Sequence, residues 1–140
     1  MTTVTRLTTG SEFEKKASYS RLVMLDNWIF VSNTAGRHPV TRQIPEDLRQ
    51  QTLQVFANIE TALAAVGASL RDVVCSRVFI QQPADVATVM AIIGEKFHGI
   101  NPASTVTCPP LGSEMYKVEL EVTAYRGAGT AEVRQITLPH

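Results

Sequence analysis

The sequence predicts an α+β sandwich, a mixed β-sheet with two helices on one face. Two segments, 45–66 and 83–97, each carry a single apolar stripe at helical spacing, so each helix has one face to bury. The segments between and around them alternate or are rich in β-branched residues, as strands are. Helices that alternate with single strands, rather than forming a block of their own, point to helices packed on a sheet.

Taken in order, residues 2–8 (TTVTRLT) are β-branched and suit a first, edge strand, and residues 10–20 are polar and read as a loop. Residues 21–25 and 28–34 are apolar runs separated by Asp26 and Asn27, which tolerate positive φ, so a tight hairpin is expected. Residues 35–44 carry Gly36 and Pro39 and read as an exposed loop. The first long helix spans 45–66: Pro45 suits the first turn, Glu46 and Asp47 suit the positive end of the dipole, and Gly67 suits the position after the last turn. Residues 73–81 (VVCSRVFIQ) form a strand. Pro83 opens the second helix, with Val86, Val89, Met90, Ile93 and Phe97 on its core face and Gly99 beyond its end.

Residues 104–108 and 116–126 are the last two strands, broken by Pro109, Pro110 and Gly112. In the second of them Val118, Leu120, Val122 and Ala124 point one way and Lys117, Glu119, Glu121 and Thr123 the other. The carboxylates, the Cys108 thiol and the hydroxyls of Ser104, Thr105 and Thr107 are therefore expected on a shared polar side. The sheet face away from the helices is neither fully polar nor fully apolar, which makes it a candidate subunit interface. Beyond Arg126, residues 127–140 form a C-terminal extension in which 133–138 alternates like a short strand.

A chain of 140 residues with 44% hydrophobic content is expected to be one domain, 1–140, with a core that needs no staples. Thirteen basic and thirteen acidic side chains cancel, so a nucleic-acid partner is not expected. No apolar run approaches the ~20 residues of a membrane helix, and the first residues lack the apolar centre of a signal peptide; no membrane partner and a cytoplasmic location are expected. Cys75 and Cys108 show no CxxC spacing and no neighbouring histidines. They read as buried thiols, with neither metal nor disulfide.

The order and spacing of several landmarks resemble the RidA family, also called YjgF/YER057c/UK114, from Ser18 to Arg126. They are Tyr19 in SYSR, the hairpin ending in Ser32, Pro39, the helix entry IPEDLRQQT, the helix exit AAVGASLRDVV, VFIQQPADVATV, the NPAS turn and the strand KVELEVTAYR. The resemblance implies a chorismate-mutase-like sandwich and a homotrimer whose sheets form a barrel, with a small-molecule cleft at each subunit interface. It also implies hydrolysis of reactive enamines and imines to a 2-oxo acid and ammonia, without cofactor or metal.

In archetypal members of that family the residue after Pro-Ala in the NPAS turn is an arginine that clamps the substrate carboxylate; this chain has Ser104. A serine cannot supply two parallel charge-assisted hydrogen bonds, each contributing on the order of 1.5–3 kcal/mol. Asn33 stands where the family has glycine, Met90 where asparagine is often found, and Val106 at the cysteine position, with Cys108 two residues later. Glu119 matches the glutamate that holds the attacking water, and Tyr19 and Ser32 match as well.

The expected site is thus Glu119 as catalytic base, with Tyr19, Ser32, Asn33, Ser104, Thr105, Cys108 and Arg37 around the substrate and no metal. Read from the residues alone, Glu119 is more simply a solvated carboxylate paired with Lys117 or Arg77. Arg21, Arg37 and His38 are the candidates for a replacement cation, Arg37 first. The functions in view are a RidA-like hydrolase with a divergent site, a non-catalytic binding or regulatory trimer, and RNA cleavage or translation inhibition, which the neutral charge disfavours.

Overall fold

The computed structural model describes residues 1–139. Its elements are β1 (Val4–Leu7), α1 (Glu12–Ala17), β2 (Leu22–Leu25), β3 (Trp28–Ala35), α2 (Leu48–Ala65), β4 (Val73–Ile80), α3 (Val86–Lys96), β5 (Ala103–Thr107) and β6 (Val118–Tyr125). The strands make one sheet in the order β1-β2-β3-β6-β4-β5. All neighbours are antiparallel except β4 and β5, which α3 connects as a parallel pair requires. β3 and β4 both run antiparallel to β6 between them, and α2 carries the chain from one to the other.

The alternation read from the last strand sets the core. Val118, Leu120, Val122 and Ala124 are buried on the helix side, with Ile29, Val31, Val78 and Ile80 from the flanking strands. α2 covers them with Val55, Phe56, Ile59 and Leu63, and α3 with Val89 and Ile93. The rings of Phe56 and Phe97 meet edge to face at 5.4 Å, joining the two helices. Among the described residues no helix is long and apolar enough to cross a membrane.

Four local expectations need correction. Residues 10–20 are not all loop: Ser11 caps α1 by accepting from the Glu14 N–H at 3.1 Å, and buried Glu14 accepts from Thr9 N and Oγ1 at 2.9 and 2.6 Å. The first long helix starts at Leu48 rather than at Pro45, because Asp47 is its cap and accepts from Gln50 N at 2.9 Å. Residues 133–138 form no strand, since no neighbouring strand offers them a ladder; Val133, Ile136 and Leu138 stay exposed. Only the start of the extension is fixed, where Asp72 Oδ1 accepts from Gly127 N at 3.2 Å and Gly129 N at 2.8 Å.

The cysteines are the fourth correction: Cys75 is half-buried, Cys108 is exposed just past β5, and both are free thiols. A bulge explains Cys75. Val73 pairs with Ala124 and Cys75 with Thr123, so Val74 is an extra residue that turns the thiol to the side away from the helices.

Side-chain amides from α2 and from the end of β4 tie these elements to the loops at one end of the sheet. Gln51 is fully buried; its Nε2 donates to Pro45 O at 2.8 Å and Met115 O at 3.0 Å, and its Oε1 accepts from Lys117 N at 2.7 Å and Val118 N at 3.4 Å. Gly36 lies so close that an added Cβ would sit 2.5 Å from the Gln51 carbonyl oxygen. Asn58 donates to Ala35 O and Arg37 O at 3.0 and 2.9 Å, and Gln81 donates to Ser113 O and Tyr116 O at 3.1 and 2.8 Å. Replacing Gln51 with Leu leaves Pro45 O, Met115 O, Lys117 N and Val118 N without this partner, at about 1–3 kcal/mol for each group that stays dry. We expect Gln51→Leu to lower the urea midpoint at fixed protein concentration with an unchanged m-value, and Gly36→Ala to do the same through the clash; a midpoint equal to the parent's for both refutes this account.

Candidate functional site

The open face of the sheet, away from α2 and α3, is divided. At one end lie Leu25, Trp28, Phe30 and Tyr125, all substantially exposed, with Trp28 and Tyr125 in edge-to-face contact at 4.9 Å. In the middle Arg77 and Glu121 form an exposed ion pair at 3.4 Å, which contributes little. At the far end Glu119 sits between Ala35 of β3 and Phe79 of β4.

A bulge in β3 builds the surroundings of Glu119. Val31 pairs with Val122 and Thr34 with Leu120, so Ser32 and Asn33 together oppose the single residue Glu121. An unbroken strand that buries Val31 would also bury Asn33. The extra residue gives the buried slot to Thr34 and leaves Ser32 and Asn33 outside.

Asn33 Nδ2 then donates to Glu119 Oε1 at 2.6 Å, while Arg21 Nη2 donates to Asn33 O, also at 2.6 Å. The Arg21 guanidinium lies over the Tyr19 ring, 5.9 Å from its centre. Ser32 is committed to structure: its hydroxyl donates to Ser20 O at 2.7 Å and its N–H to Arg21 O at 3.0 Å.

Burial raises the Glu119 carboxyl above its ordinary value of 4.5; the Asn33 hydrogen bond and the Arg21 charge oppose this without cancelling it. Neither partner expected from the residues alone is taken. Arg77 pairs with Glu121, and Lys117 Nζ donates to Glu46 O at 2.5 Å. A desolvated carboxylate with one fixed donor can hold a water by its other oxygen and accept a proton from it.

The other expected residues fall elsewhere. Arg37 donates to Tyr116 Oη at 2.8 Å and Arg42 O at 3.0 Å, so its guanidinium braces the loop after β3. Thr105 pairs with Arg77 and therefore shares the open face, two strands from the Glu119 row, whereas Cys108 lies past the end of β5. Ser104 pairs with buried Ser76 and so faces the helix side. There it lines an open groove of about 190 Å³ with Met90, Ile93, Phe97 and Pro102. Within one chain, then, Tyr19, Asn33 and Glu119 meet around Arg21 while Ser104 and Met90 meet in a separate groove. Arg21 belongs to the first cluster, and its signal in the sequence was its position two residues after Tyr19 at the start of the hairpin.

Comparisons with known proteins agree with this architecture. A family model described as Endoribonuclease L-PSP matches residues 9–126. The rat 2-iminobutanoate/2-iminopropanoate deaminase is 31% identical over 117 residues, covering 81% of this chain and 83% of the rat protein. Among solved structures, a YjgF/YER057c/UK114 family member from Mycobacterium tuberculosis superposes with a TM-score of 0.80 at 30% identity, covering 88% of this chain and 99% of that one. E. coli TdcF, solved with bound serine, superposes with a TM-score of 0.72 at 26% identity over 77% of this chain and 87% of that one. By the match over residues 9–126 and these relatives, this chain belongs to the Endoribonuclease L-PSP family, the RidA or YjgF/YER057c/UK114 family whose pattern its sequence resembles.

Proposed function

We propose that the protein is a cofactor-independent deaminase that hydrolyses a small enamine, imine or related carbonyl derivative, releasing a carbonyl compound and ammonia. The observation that carries this is Glu119: a carboxylate on the open sheet face, desolvated, oriented by Asn33 and not consumed by an ion pair. Relatives named as 2-iminobutanoate/2-iminopropanoate deaminases at about 30% identity support the same reaction class.

In the reaction Glu119 takes a proton from a bound water as the water oxygen adds to the imine carbon. With the imine entering protonated, Glu119 passes that proton to the carbinolamine nitrogen and then takes the hydroxyl proton as the C–N bond breaks, so that the carbonyl forms and the departing ammonia carries the last proton away as ammonium. Asn33 keeps the carboxylate aimed throughout.

The working unit is a homotrimer whose open sheet faces pack together into a barrel, with the ligand at the subunit interfaces. The exposed Leu25, Trp28, Phe30 and Tyr125 support this, because a lone chain would leave them in water. A site shared between copies also gives the Ser104 groove a role, since it is open and mainly apolar in a single chain.

A second reading, a binding or regulatory trimer without turnover, is favoured by the serine in place of the clamping arginine. RNA cleavage is not supported by a chain with equal numbers of acidic and basic side chains.

Three measurements test the proposal. Ammonia release from 2-iminobutanoate, generated in place by a dehydratase, is expected for the parent and should fall on the order of 10²–10⁴-fold in Glu119→Gln; ligand binding with no ammonia release from the parent would select the regulatory reading. Light scattering should give three times the mass of one chain, and a monomer would sink the interfacial site.

The third measurement is pH dependence. Because folding raises the Glu119 pKa, the folded state holds this proton more tightly than the unfolded chain. The group therefore favours folding below its unfolded value, and that benefit is lost as pH rises through the raised folded value. Glu119→Gln should melt higher than the parent at pH 7, with the gap closing on acidification below about 4.5; a gap that widens in acid contradicts the assignment. Catalysis runs the other way, rising with pH as Glu119 ionises.

A further inference from the structure

We propose that Arg21 is the carboxylate receptor of this site, a specificity-determining cation on the first hairpin that stands in for the arginine absent at Ser104. The inference deepens the deaminase reading and rests on it for the identity of the site, though not for its test. It assigns the ligand as a small anion whose carboxylate adjoins the carbon that water attacks.

The first support is an orphaned donor. Among the described residues, Arg21 Nε is buried without a hydrogen-bond partner, while Nη2 is used by Asn33 O at 2.6 Å. A buried guanidinium donor without an acceptor is costly, and in a native protein it asks for an explanation. Nε itself is closed off, so a carboxylate arriving from solvent would meet the outer Nη edge of the fork and supply the opposite charge that this partly buried guanidinium lacks.

Position is the second support. Asn33 touches both partners, giving its backbone oxygen to Arg21 and its side-chain N–H to Glu119. Yet Arg21 forms no ion pair with any described acid, Glu119 included. Its charge reaches the Glu119 corner without being spent there. A ligand bridging the two would place its carboxylate on the cation and its electrophilic carbon toward the base.

The third support is elimination among the cations. Arg37 is held by Tyr116 Oη and Arg42 O, Arg77 by Glu121, and Lys117 by Glu46 O. His38 accepts from Val40 N and Thr41 N through Nδ1 and so shapes its own turn. Arg21 instead lies against the Tyr19 ring, which fixes the plane of its fork while leaving donors free.

The test compares the parent with Arg21→Gln and Arg21→Lys, using 2-oxobutanoate and the uncharged ketone 2-butanone as probes in titrations followed by NMR. Arg21→Gln should weaken 2-oxobutanoate at least tenfold and leave 2-butanone unchanged, with Arg21→Lys in between because it keeps the charge and loses the fork. In turnover of 2-iminobutanoate, Arg21→Gln should raise KM more than it lowers kcat, the reverse of Glu119→Gln. The lysine variant keeps the test alive if the glutamine variant folds poorly.

Unchanged 2-oxobutanoate affinity in both variants overturns the proposal, and so does dissociation of the assembly by Arg21→Gln, which would make the missing acceptor a neighbouring subunit. Arg21-dependent binding without ammonia release from the parent would defeat the deaminase reading and leave the receptor standing. Turnover with a KM indifferent to Arg21 would do the opposite.

Discussion

The site depends on a buried amide. Gln51, on the first turn of α2, makes hydrogen bonds to backbone atoms of residues 45, 115, 117 and 118, and so fixes where the loop before β6 meets the start of the helix. Glu119 is the next residue after Val118, so the direction of its side chain follows from that anchorage. The backbone carbonyl and Cγ of Gln51 leave no room for a side chain at position 36, so the chain leaving β3 can approach α2 closely. Asn58 and Gln81 repeat the arrangement from two further directions. A fully satisfied polar cluster of this kind specifies one geometry because every alternative strands a buried donor or acceptor.

On that fixed frame, the bulge in β3 decides what Glu119 meets. One extra residue in the strand turns Asn33 outward beside the carboxylate and brings Thr34 into the buried row. Thr34 remains satisfied there, its hydroxyl donating to Ser32 O at 2.8 Å. The Asn33 side chain is a donor that both orients Glu119 and restrains the rise of its pKa. The residue is therefore part of the electrostatic design of the corner rather than a filler. Its backbone oxygen, meanwhile, holds Arg21 in place.

The sheet was legible wherever one face is buried, because a period of two then marks every residue. Residues 118–124 are the clearest case, and their inward and outward sets fall as the alternation predicts. The same rule misled where a residue is inserted: neither bulge is visible from periodicity, so the outward turn of Asn33 and of Cys75 is found only in the pairing. It misled again at 133–138, since alternation requires a ladder partner that sequence alone does not supply. The short α1 was legible in principle, as Ser11 followed by Glu14 is the signature of a capped first turn. Ser104 was the hardest to place. Its pairing with buried Ser76 puts it on the opposite side from Glu119, and a period-two count within its own strand cannot reveal that.

The two possible homes for a clamping cation differ in rigidity. β5 is an edge strand, exposed along its length, so an arginine at position 104 would sit on the least supported part of the sheet. Arg21 enters β2 at a point where its own carbonyl accepts from Ser32 N at 3.0 Å and the neighbouring Ser20 carbonyl accepts from the Ser32 hydroxyl at 2.7 Å. The hairpin beyond it is set by buried Leu22, Met24, Ile29 and Val31, so its register cannot slip without turning those side chains to water. A cation that must meet a carboxylate within a few tenths of an ångström gains more from this base than from a loose edge. Position 104 differs in direction as well as in rigidity: paired with buried Ser76 it faces the helix side, away from Glu119, and its small hydroxyl leaves the apolar groove open.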